Sequence, residues 1–339
     1  MPKSSADPEE SLQSELAQRV AKGDRRALAR AITLVESTRP EDRAPAEALM
    51  AALPQSTGES LRIGIAGAPG VGKSTLVEVL GLHAIAQGHR LAVLAVDPSS
   101  PVSGGSILGD KTRMTELSKT SAAFIRPSPA AGRLGGVARR TAEAIRLCEA
   151  AGYDRILIET VGLGQSETAI AGLVDLVLLL VAPGGGDELQ GIKRGIVETA
   201  DILAVTKADG AMLELAGRTA AEYQHALRLI RPAADWAPIA RTCSALTGAG
   251  IAELWEQFER FRMAAGPAGL AARRAEQAIG QFSAEIEEEL RARLSQTGHA
   301  ERLARLKTEV AEGRLTPRAA ARALVSELSG PGKRSARKP

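Results

Sequence analysis

The run Gly67-Ala68-Pro69-Gly70-Val71-Gly72-Lys73-Ser74-Thr75 concentrates several chemical abilities in one short stretch. Its glycines let successive backbone N–H groups converge on an anion, Lys73 supplies a mobile cation, and the Ser74 hydroxyl offers Mg²⁺ a hard oxygen. The pattern G-x-x-x-x-G-K-[ST] is matched in full. It follows the apolar run Leu61–Ala66 and precedes the helical positions Leu76, Val77, Val79 and Leu80. A strand before and a helix after distinguish a phosphate cradle from a chance glycine-rich turn, so the sequence predicts a bound nucleoside triphosphate.

Two later segments bear on the base. Thr206-Lys207-Ala208-Asp209 follows the apolar run Ile202–Val205, and Ser244-Ala245-Leu246 follows a run ending near Thr242. A carboxylate at Asp209 accepts from both N1–H and N2–H₂ of guanine, a donor pair that adenine lacks. The Lys207 stem lies along the ring, and the Ala245 amide meets O6. Alone, a K-x-D pattern reads equally well as a strand-end helix cap. Its place after the phosphate cradle and before S-A makes it a guanine reader, so GTP and GDP are the expected nucleotides.

Acidic residues fall between these motifs. Asp97 closes a second apolar run, Asp110 lies in Gly109-Asp110-Lys111-Thr112-Arg113, and Glu159 opens Glu159-Thr160-Val161-Gly162. Each taken alone reads as a loop cap or a surface charge. Carboxylates at the carboxyl ends of parallel strands are also where Mg²⁺ beside a phosphate cradle finds its ligands, which makes Ser74, Asp97, Asp110 and Glu159 the candidate metal set. Glu159-x-x-Gly162 has the form of an element whose glycine N–H senses the γ-phosphate. In Ras-like GTPases a water-positioning Gln directly follows that glycine, whereas here Leu163 follows and Gln165 comes two places later. Slow intrinsic hydrolysis is therefore expected, with a partner completing the site or moving Gln165.

These motifs need a scaffold. Apolar runs at 61–66, 91–96, 122–125, 156–158, 176–181 and 202–205 alternate with helical stretches, which predicts βαβ units and a mostly parallel sheet. The expected class is α/β: a P-loop GTPase domain at 61–265, an N-terminal helical extension at 1–60, a helical dimerisation region at 266–329 and a disordered basic tail at 330–339. In the extension, Leu12, Leu16 and Val20, then Leu28, Ile32 and Val35, predict a helical pair with Asp24 capping the second helix. Self-association is expected of the C-terminal helices because their apolar rows have no sheet to cover.

Composition excludes several classes. Aromatic residues are 2% of the 339 and the net charge is +3, which argues against a base-stacking or polyanion-binding protein. Two cysteines and four histidines, all scattered, form neither a disulfide framework nor a metal-ligand spacing. The longest apolar run is strand-sized, so no membrane span is expected. With no signal-like N-terminus, the expected location is cytoplasmic.

Several segments together resemble the methylmalonyl-CoA mutase-associated GTPases, a metallochaperone-type P-loop family once labelled arginine/ornithine transport kinases. They are Glu159-Thr-Val-Gly-Leu-Gly-Gln-Ser-Glu167, Pro183-Gly-Gly-Gly-Asp-Glu-Leu-Gln-Gly-Ile-Lys-Arg-Gly195, Asp97-Pro-Ser-Ser-Pro101, Gly-Asp-Lys-Thr-Arg113 and Arg126-Pro-Ser-Pro129 with Gly135-Gly136. The resemblance covers nearly the whole chain. It implies a homodimer built by C-terminal helices and a partner, the adenosylcobalamin-dependent mutase, whose cofactor loading and protection the GTPase controls. It also implies a paired switch, in which the loop after Gly162 and the loop through Gly184–Gly186 bring Gln165 or Lys193 toward the γ-phosphate. An ordinary loop leading into a helix capped by Asp187 is the plainer alternative for the second. The family usually has Asn where Thr206 stands. Among other classes, a nickel-insertion GTPase would be expected to carry His-rich or Cys/His tracts, and a signal-recognition GTPase a Met-rich groove. The sequence has neither, with five Met in all. An arginine kinase would need an acceptor pocket that the sequence does not display.

Overall fold

The computed structural model describes residues 8–55, 58–97, 114–129, 134–160, 170–184, 194–230, 236–294 and 297–328. Its centre is one sheet of seven strands: β1 (Leu61–Gly67), β2 (Leu91–Asp97), β3 (Ala123–Pro129), β4 (Arg155–Thr160), β5 (Leu176–Val181), β6 (Ile202–Val205) and β7 (Ile239–Thr242). They lie in the order β3-β2-β4-β1-β5-β6-β7, and their pairings are parallel. The α/β class with a parallel sheet and helical extensions, read from the sequence, is the observed architecture. With β1 central and the chain winding outward both ways, the order reverses beside β1, and a crevice opens at the carboxyl ends of the strands there.

The sheet is covered on both faces, so its inner strands are apolar on both sides. β1 is buried at every position but Arg62, and β4, β5 and β6 throughout. Alternate residues of one strand serve opposite cores. Ala92, Leu94 and Val96 face a layer containing α1 (Pro8–Ala21), α2 (Arg25–Glu36), α3 (Pro40–Ala52) and α6 (Leu134–Ala150). Leu91 and Val93 face the opposite layer, with α4 (Lys73–Ala86) and the first part of α9 (Ile251–Leu294). A third cluster fills the β5–β6 side under α7 (Arg194–Thr199) and α8 (Leu213–Ile230). The short α5 (Thr115–Lys119) packs by Leu117 beside α4.

Three differences from the sequence reading have physical causes. Among the described residues, the N-terminal region holds three helices rather than a pair. Pro45 inside α3 disguises the third, since proline normally argues against a helix interior. Asp24 does cap α2, its carboxylate accepting from Arg26 N at 2.9 Å and Ala27 N at 3.1 Å. Strand β3 continues through Arg126-Pro127-Ser128-Pro129, and as the sheet's outer strand it can hold prolines that a central strand could not. Finally, α9 runs on past Gly266, which kinks it at φ 62° and ψ 171° ahead of Pro267.

The chain divides into two compact units, residues 1–281 and 282–339. In the second, the end of α9 is followed by α10 (Thr297–Ala311) and α11 (Pro317–Leu328). Leu306, Ala320 and Leu324 form its small core, and Arg302 Nε donates to Glu327 Oε1 at 3.1 Å.

Candidate functional site

At the carboxyl end of β1 the chain enters the loop Gly67–Gly72 and leaves it as α4. Gly67, Gly70 and Gly72 have φ of 152°, 77° and 102°. At Gly67 the requirement is also steric, because a Cβ there would lie 2.6 Å from Leu180 O of the neighbouring strand. Gly72 is the N-cap of α4 in left-handed conformation and has no side-chain cap bond. The helix thereby presents its first N–H groups, and the positive end of its dipole, to the crevice.

Lys73 and Ser74 open α4. Lys73 is 8% exposed, and its Nζ donates to Gly67 O at 2.7 Å and Ala68 O at 3.0 Å, which folds the ammonium over the loop. The Ser74 hydroxyl donates to Glu159 Oε1 at 2.7 Å, and Glu159 is buried at the end of β4. A hydroxyl and a carboxylate side by side at the entrance of α4 are the hard oxygen donors that Mg²⁺ accepts, so these two fit the expected metal. Asp97 ends β2, two strands from β1 across β4. Asp110, Gly162, Gln165 and Lys193 lie outside the described residues.

The segments Thr206–Asp209 and Ser244–Leu246, expected to meet the base, sit at the carboxyl ends of β6 and β7. Thr206 is buried, and its hydroxyl is 2.7 Å from Val71 O and 3.3 Å from Val181 O, which ties the end of β6 to the phosphate loop. Lys207 is in left-handed conformation at φ 54°, and its Nζ donates to Gly70 O at 2.9 Å. The two residues together fasten the segment after β6 to the loop after β1 at the consecutive carbonyls of Gly70 and Val71. Asp209 accepts a short hydrogen bond from the Ser244 hydroxyl. Ser244 Oγ in turn accepts from Thr247 N at 3.1 Å, and Ala208 N donates to Cys243 O at 3.1 Å. The Asp209 carboxylate is therefore fixed in direction, with Ala245 half-buried beside it and Leu246 85% exposed. Burial pushes the neighbouring Cys243 thiol up to about 12, so it stays protonated and inert.

Some contributors escaped the sequence reading. The S-x-x-T spacing of Ser244 and Thr247 was a usable signal for the turn that aims Asp209. The Thr206–Val71 bond had none, because its acceptor is a main-chain carbonyl.

Residues 28–299 match the family model described as Methylmalonyl Co-A mutase-associated GTPase MeaB. Among curated proteins, a putative GTPase of Caulobacter vibrioides is 56% identical over 264 residues, spanning 77% of this chain and 81% of its own. The mitochondrial methylmalonic aciduria type A homolog of Mus musculus is 51% identical over 268 residues, 76% of this chain and 65% of that one. A solved structure described as LAO/AO transport system kinase superposes with a TM-score of 0.75 at 34% identity, covering 94% of this chain and 98% of that one.

Proposed function

The chain belongs to the methylmalonyl Co-A mutase-associated GTPase family, and from that premise we propose that it is a GTP-hydrolysing chaperone of an adenosylcobalamin-dependent methylmalonyl-CoA mutase. In this role it gates loading of intact cofactor and protects or reactivates the mutase. The observation that carries the nucleotide chemistry is the joining of Thr206 and Lys207 to Val71 O and Gly70 O. These bonds couple a guanine-specific carboxylate to the loop that would hold the phosphates.

Phosphoryl transfer to water asks a protein mainly for position and charge. The N–H groups of residues 67–75 cradle the β-phosphate, and Lys73, already poised over the loop, meets the β/γ oxygens. Asp209 pairs with N1–H and N2–H₂ of guanine, and Ala245 N–H reaches O6. Ser74, Glu159, Asp97 and Asp110 would hold Mg²⁺, which when bound neutralises charge on the β/γ oxygens. Gly162 senses the γ-phosphate, and Gln165 or Lys193 completes the site when the mutase is docked, which makes intrinsic hydrolysis slow and partner-stimulated.

The protein acts as a cytoplasmic homodimer, associating through its C-terminal helices and binding neither nucleic acid nor membrane. No described helix is long and apolar enough to cross a bilayer. The nickel-insertion alternative draws less support than the family membership gives the mutase reading.

The test is GTP turnover with and without purified mutase, alongside transfer of adenosylcobalamin to apo-mutase. Stimulation by the mutase and nucleotide-dependent transfer are the expected results. Stimulation by a nickel-enzyme precursor and not by the mutase would replace this function with the alternative.

A further inference from the structure

The segment Arg126-Pro127-Ser128-Pro129 lies on the outer strand β3, separated from β1 by β2 and β4, and supplies nothing to the nucleotide site described above. Its polar side chains turn to the end of α2. Arg126 holds Glu36 Oε2 through Nη2 and through Nε at 3.2 Å, and its Nη2 also reaches the Thr33 hydroxyl at 3.3 Å. The Ser128 hydroxyl donates to Glu36 Oε1 at 2.5 Å. Both oxygens of Glu36, whose side chain is 8% exposed, are thus occupied. Held this way, the Arg126 guanidinium has one orientation, and its Nη1 has no hydrogen-bond partner among the described residues.

Beside this pair lies a cavity of about 790 Å³, walled by α1, α2 and α3 and by Arg126 of β3 and Arg140 of α6. Small-molecule sites typically enclose ~300–1,000 Å³. The wall has two characters. Leu12, Leu16, Leu34 and Pro45 give it apolar surface, and Leu12 is 49% exposed there. Five arginines and three carboxylates also line it, so its side chains carry two more positive charges than negative. Arg19 is paired with Asp24 and Arg126 with Glu36. Arg30 and Arg39 are exposed and pair with no carboxylate among the described residues, so two uncompensated guanidinium groups stand where the cavity meets water. On the α1 wall, Gln13 Oε1 is buried without a hydrogen-bond partner among the described residues. A buried acceptor costs free energy until water or a bound molecule supplies a donor.

We propose that this cavity is a second small-molecule site, separate from the nucleotide crevice, which takes an organic anion of two negative charges with a short apolar body. Arg30, Arg39 and the free edge of Arg126 meet the charge, and Leu12, Leu16 and Pro45 cover the body. Guanidinium forks match phosphate and carboxylate equally in geometry, so a phosphate monoester and a dicarboxylate are the two sources of this chemistry.

The experiment is calorimetric titration of the full-length protein with phenyl phosphate and with phenylsuccinate, each with and without saturating GDP. At least one probe should bind with Kd below about 1 mM, and which one does so identifies the source. GDP should leave that affinity unchanged. Inorganic phosphate, which has the charge without the body, should bind more weakly. The double variant Arg30→Ala with Arg39→Ala should lose about tenfold or more in probe affinity, since each arginine contributes a charge-assisted hydrogen bond. Both side chains are exposed, so the fold should survive the change. Arg218→Ala with Arg260→Ala, at exposed arginines elsewhere, should change nothing. Failure of both probes to bind, or binding that the Arg30 and Arg39 changes leave intact, would overturn the proposal. Equal weakening by the Arg218 and Arg260 changes would overturn it as well, by showing general charge attraction. Inorganic phosphate binding as tightly as phenyl phosphate would remove the apolar half of the site, and loss of probe binding on adding GDP would move the site to the phosphate loop.

Discussion

The Ser74 hydroxyl donates to Glu159 Oε1 at 2.7 Å, joining the first turn of α4 to the end of β4. The bond holds two oxygen donors at one point of the crevice. Ser74→Ala and Glu159→Gln should each raise the Mg²⁺ concentration for half-maximal GTP hydrolysis, by ~10-fold or more, because loss of a ligand or of the group that orients it typically costs that much. A Mg²⁺ titration of the hydrolysis rate decides it. Unchanged midpoints in both variants would remove these residues from the metal site.

The Thr206 tether makes a second expectation quantitative. Thr206→Val keeps the shape but deletes the hydroxyl that lies 2.7 Å from Val71 O, leaving a buried carbonyl short of a donor. A loss of about 1 kcal/mol, roughly fivefold in GDP affinity, is expected, and Thr206→Asn should retain most of the binding. Asp209→Asn should shift preference from guanine toward xanthine nucleotides. Calorimetry with GDP, ADP and XDP measures all three, and equal GDP and ADP affinities in the parent protein would contradict the guanine assignment.

Stability at acid pH should depend on Glu149. Burial pushes its carboxyl up, but bonds from Arg62 and Ser60 and the nearby charge of Arg274 outweigh this and hold it below the ordinary value of 4.5. The folded protein therefore releases this proton more readily than the unfolded chain does. Its contribution is fully present above the unfolded value and is lost as pH falls through the lower folded one. Glu149→Gln should cost about 3 kcal/mol at neutral pH, because it removes the carboxylate that the largely buried Arg62 pairs with, and should lose less additional stability below pH ~4.5 than the parent. Thermal melts from pH 7 to pH 3 check the sign, and an identical acid-side slope in the variant would show that Glu149 is not responsible.

Self-association should depend on the second compact unit. Phe282, Ile286 and Leu290, at i, i+4 and i+8 on α9, are 66%, 45% and 48% exposed. An apolar row so exposed is more often covered than left in water. Phe282→Glu with Ile286→Glu should convert a dimer to a monomer in sedimentation without a large fall in melting temperature. Dimers that persist would place the interface in residues 1–281.

The phosphate cradle was legible in the sequence because its chemistry belongs to consecutive backbone amides. A conformation fixed by local glycines and a helix start needs no distant partner to be recognised. The sheet was legible for a similar reason, since strands buried on both faces are short unbroken apolar runs, as at Leu176–Val181. Where local rules misled, a residue broke its usual habit because of its tertiary position, as Pro45 inside α3 and Pro127 on an outer strand did. Only the tertiary structure could bring Thr206 to Val71, Ser74 to Glu159 and Gln277 to Ala171. Each of these pairs unites residues far apart in sequence, and in two of them the acceptor is a main-chain carbonyl that every residue type carries. A side chain's ability to donate is written in the sequence. Which carbonyl it meets is decided by the packing of helices and strands against one another.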